Sequence, residues 1–296
     1  MFGGYNTSGG WFWAMVTIAA ACFVMFIICF LLTKEHLKTV STMSVGDDFA
    51  TLLKNKPWWL LIGAALCSNL FNTVRGATVA YFFADIIGAD VSLSFMGMAF
   101  IFYAGLFLGV GEVSNMVGVA LCVPIANKLG KKTTFMLVNA LLVVFSILFF
   151  FIPINPSGFW MMLIFQVIIS ILTGVMSPLV WSMYADVSDY AELEFRTAST
   201  GLIFSSASMA QKFGGAIGGA AVLWLLSAFG YVTDAAEVSA GAVQPESALL
   251  ALRWLMSFIP ATVAALAVIV VWFYPLTTKR VDEISDRLKS MREIEE

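Results

Sequence analysis

The sequence predicts an all-α integral membrane protein with seven transmembrane helices. Of its 296 residues, 60% are hydrophobic and only 12% are charged, and the mean hydropathy is +0.91. Soluble globular proteins are about 45–50% apolar and about 25% charged, so a soluble domain is excluded. Seven apolar stretches each reach the roughly 20 residues that a helix needs to cross a membrane. We expect helices because a backbone in lipid must satisfy its own amide groups.

These helices divide the chain into four parts. A single helix over 1–33, apolar from 11, is followed by a polar cytoplasmic linker over 34–56. A six-helix unit covers 57–277, and an amphipathic cytoplasmic tail covers 278–296. Inside the six-helix unit the spans are expected at 57–84, 107–127 with an apolar lead-in from 93, 133–152, 159–185, 202–228 and 250–275.

The first helix and the C-terminal tail each allow two interpretations. No basic segment precedes the first helix and Lys34 follows it, so we expect it to remain in the protein rather than to be cleaved as a signal peptide. The tail places Val281, Ile284 and Leu288 at helical spacing. That spacing favours a helix on the inner membrane face, and a solvated charged tail is an equally good alternative.

The distribution of basic residues predicts the orientation. Most of the 16 Lys and Arg residues fall in connections on one side of the membrane, and the opposite connections carry acidic residues such as Asp85 and Glu246. Basic connections stay in the cytoplasm. We therefore expect an outside N-terminus, a cytoplasmic C-terminus and a location in the cell (inner) membrane.

The sequence indicates neither an enzyme nor a metal protein. His36 is the one histidine, and it has no Cys or His neighbour at ligand spacing. No Ser/His/Asp set and no phosphate-binding glycine loop is found. The four cysteines lie in apolar runs and the net charge is −3, which disfavours a disulfide framework and a nucleic-acid partner. We therefore predict no catalytic residue, no metal and no cofactor.

Three charged residues remain inside the predicted spans: Arg75, Glu112 and Lys212. Each costs at least about 2.5–3.5 kcal/mol to insert, which makes it a functional candidate. Lys212 lies about 15 Å into its span, at the middle of the membrane, with Ser208 one turn earlier on the same face. We expect Lys212 to line a substrate path; a structural ion pair is the alternative.

Arg75 and Glu112 lie at similar depths on neighbouring antiparallel helices, about 27 Å and about 22 Å from the inner ends of their spans. We expect them to form an ion pair near the outer side that supports packing or closes an outer gate. Separate contacts to water or to polar side chains are the alternative.

The cytoplasmic end of the fifth span is acidic. Asp186 and Asp189 lie three residues apart on one helical face, and Arg196 follows. The basic residues of the connection after the third span lie on the same side of the membrane. We predict that they form a charge latch that opens and closes; a solvated acidic helix end is the alternative. The residues of this latch are Asp186, Asp189, Arg196, Lys128, Lys131 and Lys132.

Small residues and prolines predict how some of the spans pack and bend. Gly214 and Gly218 are four residues apart and let another helix approach closely. Pro178 and Pro260 lie inside spans, where each removes a helix hydrogen bond and introduces a kink.

Several stretches together resemble the glycoside-pentoside-hexuronide:cation symporter family of the major facilitator superfamily. The most specific is Tyr-Ala-Asp-Val-Ser-Asp-Tyr at 184–190, followed by Gln-Lys-Phe-Gly-Gly at 211–215. Stretches 55–59, 74–77, 124–132, 201–205 and 226–231 are similar to the family as well. The match departs from the family at Asn127, where the superfamily usually has an aspartate, and at 198–201, where an Arg-x-Glu-Gly run is usual.

The resemblance implies sodium- or proton-coupled uptake of a sugar or glycoside by alternating access. It implies that Lys212 is a sugar-site lysine on the eleventh helix of a twelve-helix carrier, with Ser208 beside it. Ser177 occupies the level at which galactoside-transporting members have a tryptophan, and Trp181 lies one turn nearer the cytoplasm. Asn72 adds a polar group at membrane depth. The identity of the sugar stays open.

The resemblance also aligns the seven spans with helices six to twelve, one helix plus a six-helix C-terminal half. The coupling-cation site of the family lies in the other half. We therefore expect a fragment or a truncated reading frame, and a split carrier completed by a missing N-terminal half polypeptide is the alternative. A retinal protein or a seven-helix receptor, and a nonfunctional transporter remnant, are the competing interpretations of the same span count.

Overall fold

The structure, a computed structural model, describes residues 8–33, 45–88, 91–95, 98–196, 200–233 and 243–295. Contacts divide the chain into two compact units, residues 1–42 and residues 43–296. The first unit contains helix α1 (Ser8–Leu32), whose large apolar side chains, such as Phe26 and Phe30, are exposed. An unbroken apolar helix of this length suits lipid surroundings.

The second unit is a helical bundle. Helix α4 (Ala104–Leu129) packs along α6 (Pro156–Phe195), and α3 (Lys56–Phe82) packs against α7 (Thr200–Ala228). Helix α9 (Phe258–Trp272) lies against both α3 and α5 (Lys131–Phe149). Two buried clusters of apolar side chains fill the bundle, one around Leu61, Phe135 and Tyr184 and the other around Phe83, Phe107 and Leu252. The helices are α2 (Val45–Lys54), α3 (Lys56–Phe82), α4 (Ala104–Leu129), α5 (Lys131–Phe149), α6 (Pro156–Phe195), α7 (Thr200–Ala228), α8 (Glu246–Met256), α9 (Phe258–Trp272) and α10 (Thr278–Glu295).

Six helical segments of the described residues are long and apolar enough to cross a membrane, so the chain is a multi-pass membrane protein. The remaining predicted span corresponds to α3, which has 27 residues but carries Asn69, Asn72 and Arg75 and is not one of the six. The seven-span count therefore stays a prediction. The six segments are Phe12–Leu32, Ala104–Leu129, Lys131–Phe149, Pro156–Phe195, Thr200–Ala228 and Glu246–Trp272.

Local sequence explains where the two helices that carry most of the polar residues begin. Asn55 precedes α3 and its side-chain oxygen accepts from the Trp58 backbone N–H over 3.1 Å. Asn155 does the same for α6, accepting from the Gly158 N–H over 2.8 Å. A proline follows each asparagine within the first two helical positions, where its missing N–H costs nothing.

The apolar lead-in at residue 93 is not helical, which corrects the all-α prediction. Strands β1 (Val91–Phe95) and β2 (Met98–Phe102) form an antiparallel hairpin in which Leu93 lies opposite Phe100. Leu93 is buried between the exposed Ser92 and Ser94. That alternation has the two-residue period of a strand, whereas its content of apolar residues alone suggested a helix.

The predicted span at 250–275 is two helices, α8 and α9, separated at Ser257. Pro260 has no backbone N–H, so it cannot donate to the carbonyl of Met256 four residues earlier. The backbone of Ser257 leaves the helical region, with φ −131° and ψ −83°. The predicted kink at Pro260 is therefore a break in the helix.

The two cytoplasmic segments of the prediction also have structure. The predicted linker contains α2, in which Leu52 is buried; residues 34–44, which include His36, lie outside the described residues. The predicted tail forms α10, and its apolar face packs on α6, with Ile284 and Leu288 buried. The apolar face of the tail therefore contacts protein rather than a membrane surface.

Two glycines of α7 bring it close to α3, as predicted. A Cβ atom at Gly214 would lie 2.8 Å from Cβ of Asn69, and one at Gly218 would lie 2.9 Å from Cβ of Thr73. Gly219 has open space around it. The same crossing is held by the Trp58 indole, which donates to Oγ of Ser206 over 2.8 Å.

Candidate functional site

A polar cleft lies where α3, α6 and α7 meet. We call it the central cleft; its polar lining includes Asn69, Asn72, Ser177, Trp181, Tyr184 and Gln211. Its volume is about 70 Å³, below the roughly 300 Å³ of a typical ligand pocket. Asn72 and Ser177 are exposed, so the cleft is open on one side.

Aromatic side chains of α6 shape the central cleft. The Trp181 ring stacks on Phe204 of α7, with ring centres 6.0 Å apart and planes 8° apart. Tyr184, one turn on, is 1% exposed, and its hydroxyl has no hydrogen-bond partner among the described residues. A buried hydroxyl without a partner carries a desolvation cost, which a ligand or a water in the cleft would relieve.

Three of the predicted substrate-binding residues therefore come together in the central cleft: Asn72, Ser177 and Trp181. The other two, Lys212 and Ser208, do not line it. They lie on the exposed face of α7 with Ser205, because consecutive helical residues differ in direction by about 100°, and it is Gln211 that points into the cleft.

Lys212 makes no ion pair with any residue in the described part of the chain, so the structural ion pair considered as an alternative is not formed there. Lys212 is 12 residues from the start of α7, which corresponds to about 18 Å along the helix. An exposed ammonium group at that depth is unfavourable in lipid and suited to a water-filled or protein-lined space.

A second cavity, of about 310 Å³, lies between α3, α4 and α6. We call it the Arg75 cavity; it is lined by Asn72, Arg75, Glu112, Asn115, Gln166 and Thr173, among others. Asn72 and Thr173 line the central cleft as well. The two spaces therefore adjoin and form one polar region along the bundle.

The predicted ion pair between Arg75 and Glu112 is not formed. Arg75 Nη1 donates to the carbonyl oxygen of Met256 over 2.6 Å, and Nη2 donates to Oε1 of Gln166 over 3.1 Å. Its guanidinium also lies 5.1 Å from the centre of the Phe149 ring. Glu112 is exposed on α4. The physical reason is that the helix break at Pro260 leaves the Met256 carbonyl without a helical donor. Arg75 therefore donates to this carbonyl instead of pairing with the Glu112 carboxylate.

The structure brings together one pair of the predicted latch. Lys131 Nζ lies 2.6 Å from Oδ1 of Asp186, whose side chain is 9% exposed. A third cavity, of about 310 Å³, adjoins this pair and is also lined by Asp282 and Tyr274. We call it the Lys131 cavity; helix α10 supplies part of its wall.

The other predicted latch residues have different roles in the structure. Lys132 donates to the carbonyls of Trp272 and Tyr274, over 2.9 Å and 2.7 Å, and so binds the C-terminal end of α9. Arg196 ends α6 in the left-handed conformation, with φ 56°. Lys128 and Arg196 are exposed and make no ion pair with the described residues, and Asp189 is half-buried.

Sequence reasoning missed Gln166 and the backbone of Met256 as partners of Arg75, and Tyr184 and Gln211 as cleft residues. Spacing could have identified Gln211, because it lies four residues after Ala207 on the packed face of α7. Met256 had a signal as well: a proline four residues after it always leaves its carbonyl without a helical donor.

Comparison with known proteins agrees with this architecture. A model of the family described as MFS/sugar transport protein matches residues 1–278. The inner membrane symporter YicJ of Escherichia coli (strain K12) is 30% identical over 290 residues, which cover 97% of this chain and 59% of that protein. The glucuronide carrier protein homolog of the same organism is 29% identical over 290 residues, covering 96% and 58%.

A third relative is the isoprimeverose transporter of Lactiplantibacillus pentosus, 28% identical over 292 residues that cover 97% of this chain and 56% of the transporter. The chain thus spans less than three fifths of the length of these relatives. All three are named as carriers, which confirms the prediction of a non-enzyme and gives no support to a retinal protein or a receptor. The chain belongs to the MFS/sugar transport protein family, as its resemblance to the glycoside-pentoside-hexuronide:cation symporters predicted.

Proposed function

We propose that this chain forms the sugar-binding part of a sugar or glycoside carrier that works by alternating access. The observation that carries the proposal is the central cleft, in which Asn72, Ser177, Trp181 and Gln211 present hydrogen-bonding groups beside an aromatic ring. Substrate sites of secondary transporters lie near the membrane midplane. The names of the relatives, a glucuronide carrier homolog and an isoprimeverose transporter, support a sugar as the substrate.

The exposed face of α7 supports the view that more helices are needed for transport. Lys212 and Ser208 are exposed at membrane depth, and lipid is a poor environment for a charge. A facing helical half, supplied by a second polypeptide or by a longer form of the protein, would close the open side of the central cleft. Lys212 would then border the sugar path, and the coupling Na⁺ or H⁺ would bind in the facing half.

The proposed orientation has the N-terminus outside and the C-terminus in the cytoplasm of a cell with this carrier in its inner membrane. The basic residues Lys128, Lys131 and Lys132 support it. In this orientation the Lys131–Asp186 pair, with Asp189 and Arg196 near it in sequence, forms a cytoplasmic latch. Its opening on the inward-facing step would separate α6 from the start of α5.

Direct binding tests the proposal without requiring the whole transport cycle. The purified chain in lipid nanodiscs would be titrated with radiolabelled methyl glycosides, as wild type, Asn72→Ala and Gln211→Ala. We expect saturable binding that both substitutions weaken, since each removes a hydrogen-bonding group from the cleft. Lys289→Ala, in the exposed part of α10, is the control and should bind as the wild type does.

Two results would contradict the proposal. One is the absence of saturable binding for every glycoside, which is the outcome expected of a nonfunctional remnant. The other is binding that Asn72→Ala and Gln211→Ala leave unchanged, which would place the sugar outside the central cleft.

A further inference from the structure

Arg75 is a buried cation that has no buried anion beside it in the described part of the chain. It is 6% exposed, and no carboxylate lies within ion-pair distance of it in the described ranges. Removing a guanidinium from water costs several kcal/mol unless an anion and good hydrogen bonds compensate. The two groups that accept its hydrogen bonds, the Met256 carbonyl and the Gln166 amide oxygen, are neutral and leave the positive charge in place.

These contacts hold the guanidinium in one position. Met256 O binds one terminal nitrogen, Gln166 binds the other, and the Phe149 ring lies 5.1 Å from the central carbon. A guanidinium has five N–H donors, so the two hydrogen bonds leave donors for a further acceptor. Arg75 lines the Arg75 cavity, so an acceptor in that space would reach it.

The Arg75 cavity has the size and the polar lining of a ligand site. Its 310 Å³ is within the range of small-molecule pockets. Asn115 donates to the Ser170 carbonyl over 3.4 Å and to Thr173 Oγ1 over 3.3 Å, which fixes its amide group. Gly111 leaves room for Gln166, because a Cβ there would lie 2.6 Å from its Nε2.

The Arg75 cavity adjoins the proposed sugar site. Asn72 borders both spaces, and Arg75 follows it by one helical turn on α3, about 4.5 Å further along the axis. A sugar ring that contacts Asn72 in the central cleft could therefore direct one substituent toward Arg75.

We propose that the Arg75 cavity is a subsite for an anionic substituent of the sugar, a carboxylate or a sulfonate, with Arg75 as the group that binds it. A charge-assisted pair in a water-poor space is strong and geometrically selective. The inference rests on the proposed function, because it assumes that a sugar occupies the central cleft.

The Glu112 carboxylate competes with an anionic ligand in this subsite. This carboxylate is the one acidic group among the residues that line the cavity, and it opposes a second negative charge there. Glu112 therefore lowers the affinity for an anionic sugar, and its removal raises that affinity.

Two sugars that differ at one position test the proposal. Methyl β-D-glucuronide has a carboxylate where methyl β-D-glucoside has a hydroxymethyl group, and both would be titrated into the full chain in nanodiscs. We expect the glucuronide to bind about tenfold more tightly or better, as a hydrogen-bonded charge pair implies. Arg75→Gln should abolish the preference, and Arg75→Lys should keep part of it.

Arg253→Gln is the matched control. Arg253 donates to a backbone carbonyl over 2.6 Å and lies over an aromatic ring, as Arg75 does, but it lines a different cavity. Its substitution should leave the ratio of the two affinities unchanged. Glu112→Gln should tighten glucuronide binding and leave glucoside binding unchanged, a gain that a folding defect cannot imitate.

Each failure has its own signature. Equal affinity for the two sugars, or a preference that survives Arg75→Gln, overturns the subsite and leaves the proposed function intact. Binding of inorganic sulfate that matches the glucuronide and depends on Arg75 shows an anion site unrelated to the sugar, which also overturns it. If neither sugar binds, the proposed function fails and this inference fails with it.

Discussion

Arg75 Nη1 donates to the carbonyl oxygen of Met256 over 2.6 Å, and Pro260 is the reason that this carbonyl is free. The two residues are 181 positions apart in the sequence, so one cation joins α3 to the break between α8 and α9. This contact accounts for two features at once: a charge in the middle of the bundle and a span that is not a continuous helix.

The Arg75–Pro260 relationship predicts a non-additive pair of substitutions. Arg75→Ala leaves the Met256 carbonyl buried without a donor, which should lower the free energy of unfolding by about 1–3 kcal/mol. In the background of Pro260→Ala the residue at 260 supplies an N–H to the same carbonyl, so Arg75→Ala should cost less there. Thermal unfolding of the four proteins in detergent measures the difference, and strictly additive effects would contradict the account.

The close approach of α3 and α7 predicts that replacing two glycines of α7 by alanine changes the free energy of unfolding by different amounts. Gly214→Ala places a Cβ atom 2.8 Å from Cβ of Asn69 and 3.0 Å from the Leu66 carbonyl, and such overpacking costs about 1–3 kcal/mol. Gly219→Ala, which meets nothing within 4 Å, is the control. It should be neutral or stabilising by up to about 1 kcal/mol. Equal destabilisation by both changes in thermal melts would argue against this packing.

Two buried tyrosine hydroxyls predict substitutions that affect the affinity for a sugar without lowering the stability of the fold. Neither Tyr184 OH nor Tyr274 OH has a hydrogen-bond partner among the described residues, so Tyr184→Phe and Tyr274→Phe should each leave unfolding unchanged or stabilise the protein slightly. Burial raises the pKa of Tyr274, so its hydroxyl stays protonated at physiological pH. Tyr184 lines the central cleft and Tyr274 lines the Lys131 cavity.

Sugar binding should therefore respond to one of these changes and not to the other. Tyr184→Phe should weaken the affinity for a glycoside, because the ligand loses a donor, while Tyr274→Phe should leave it as in the wild type. The titration used for the central cleft measures both, and an unchanged affinity for Tyr184→Phe would remove its hydroxyl from the site.

The partly buried Lys131–Asp186 pair predicts a measurable coupling free energy between its two side chains, which exposed ion pairs lack. A double-mutant cycle with Lys131→Ala and Asp186→Asn should give a coupling free energy of about 1 kcal/mol, because the carboxylate is buried while the ammonium is about one third exposed. The same cycle on Arg280 and Glu283, whose side chains are 45% and 58% exposed, should give a coupling near zero. Equal values for both cycles would remove Lys131–Asp186 from the proposed latch.

Hydropathy and residue spacing predicted much of the fold. The seven apolar stretches correspond to α1 and α3 to α9, and the small residues at Gly214 and Gly218 indicated the helix packing. The hairpin at 91–102 was missed because an apolar segment beside a span has a length that fits either a helix or a strand. Only the alternation of serines with apolar residues distinguishes a strand from a helix there. The break at Ser257 followed from Pro260, but its extent depends on tertiary contacts.

The candidate site was predicted less completely. Arg75, Glu112 and Lys212 lie in α3, α4 and α7, the helices that correspond to the spans in which they were predicted. The predicted partner of Arg75 was wrong, because charge matching considers only charged side chains, whereas the acceptors are a backbone carbonyl and a neutral amide. The direction in which the Lys212 side chain points also depends on which face of α7 packs on α3. The glycines of α7 indicate that face, whereas the lysine itself does not.

The most direct test of the central claim is protection of a cysteine in the central cleft. Ser177→Cys, in a chain whose four native cysteines are replaced by alanine, would be alkylated with a maleimide in nanodiscs with and without a saturating methyl glycoside. The account predicts that the glycoside slows alkylation at position 177 and leaves a cysteine introduced at the exposed Lys289 unaffected. Equal alkylation rates at position 177 with and without every glycoside tested would contradict it.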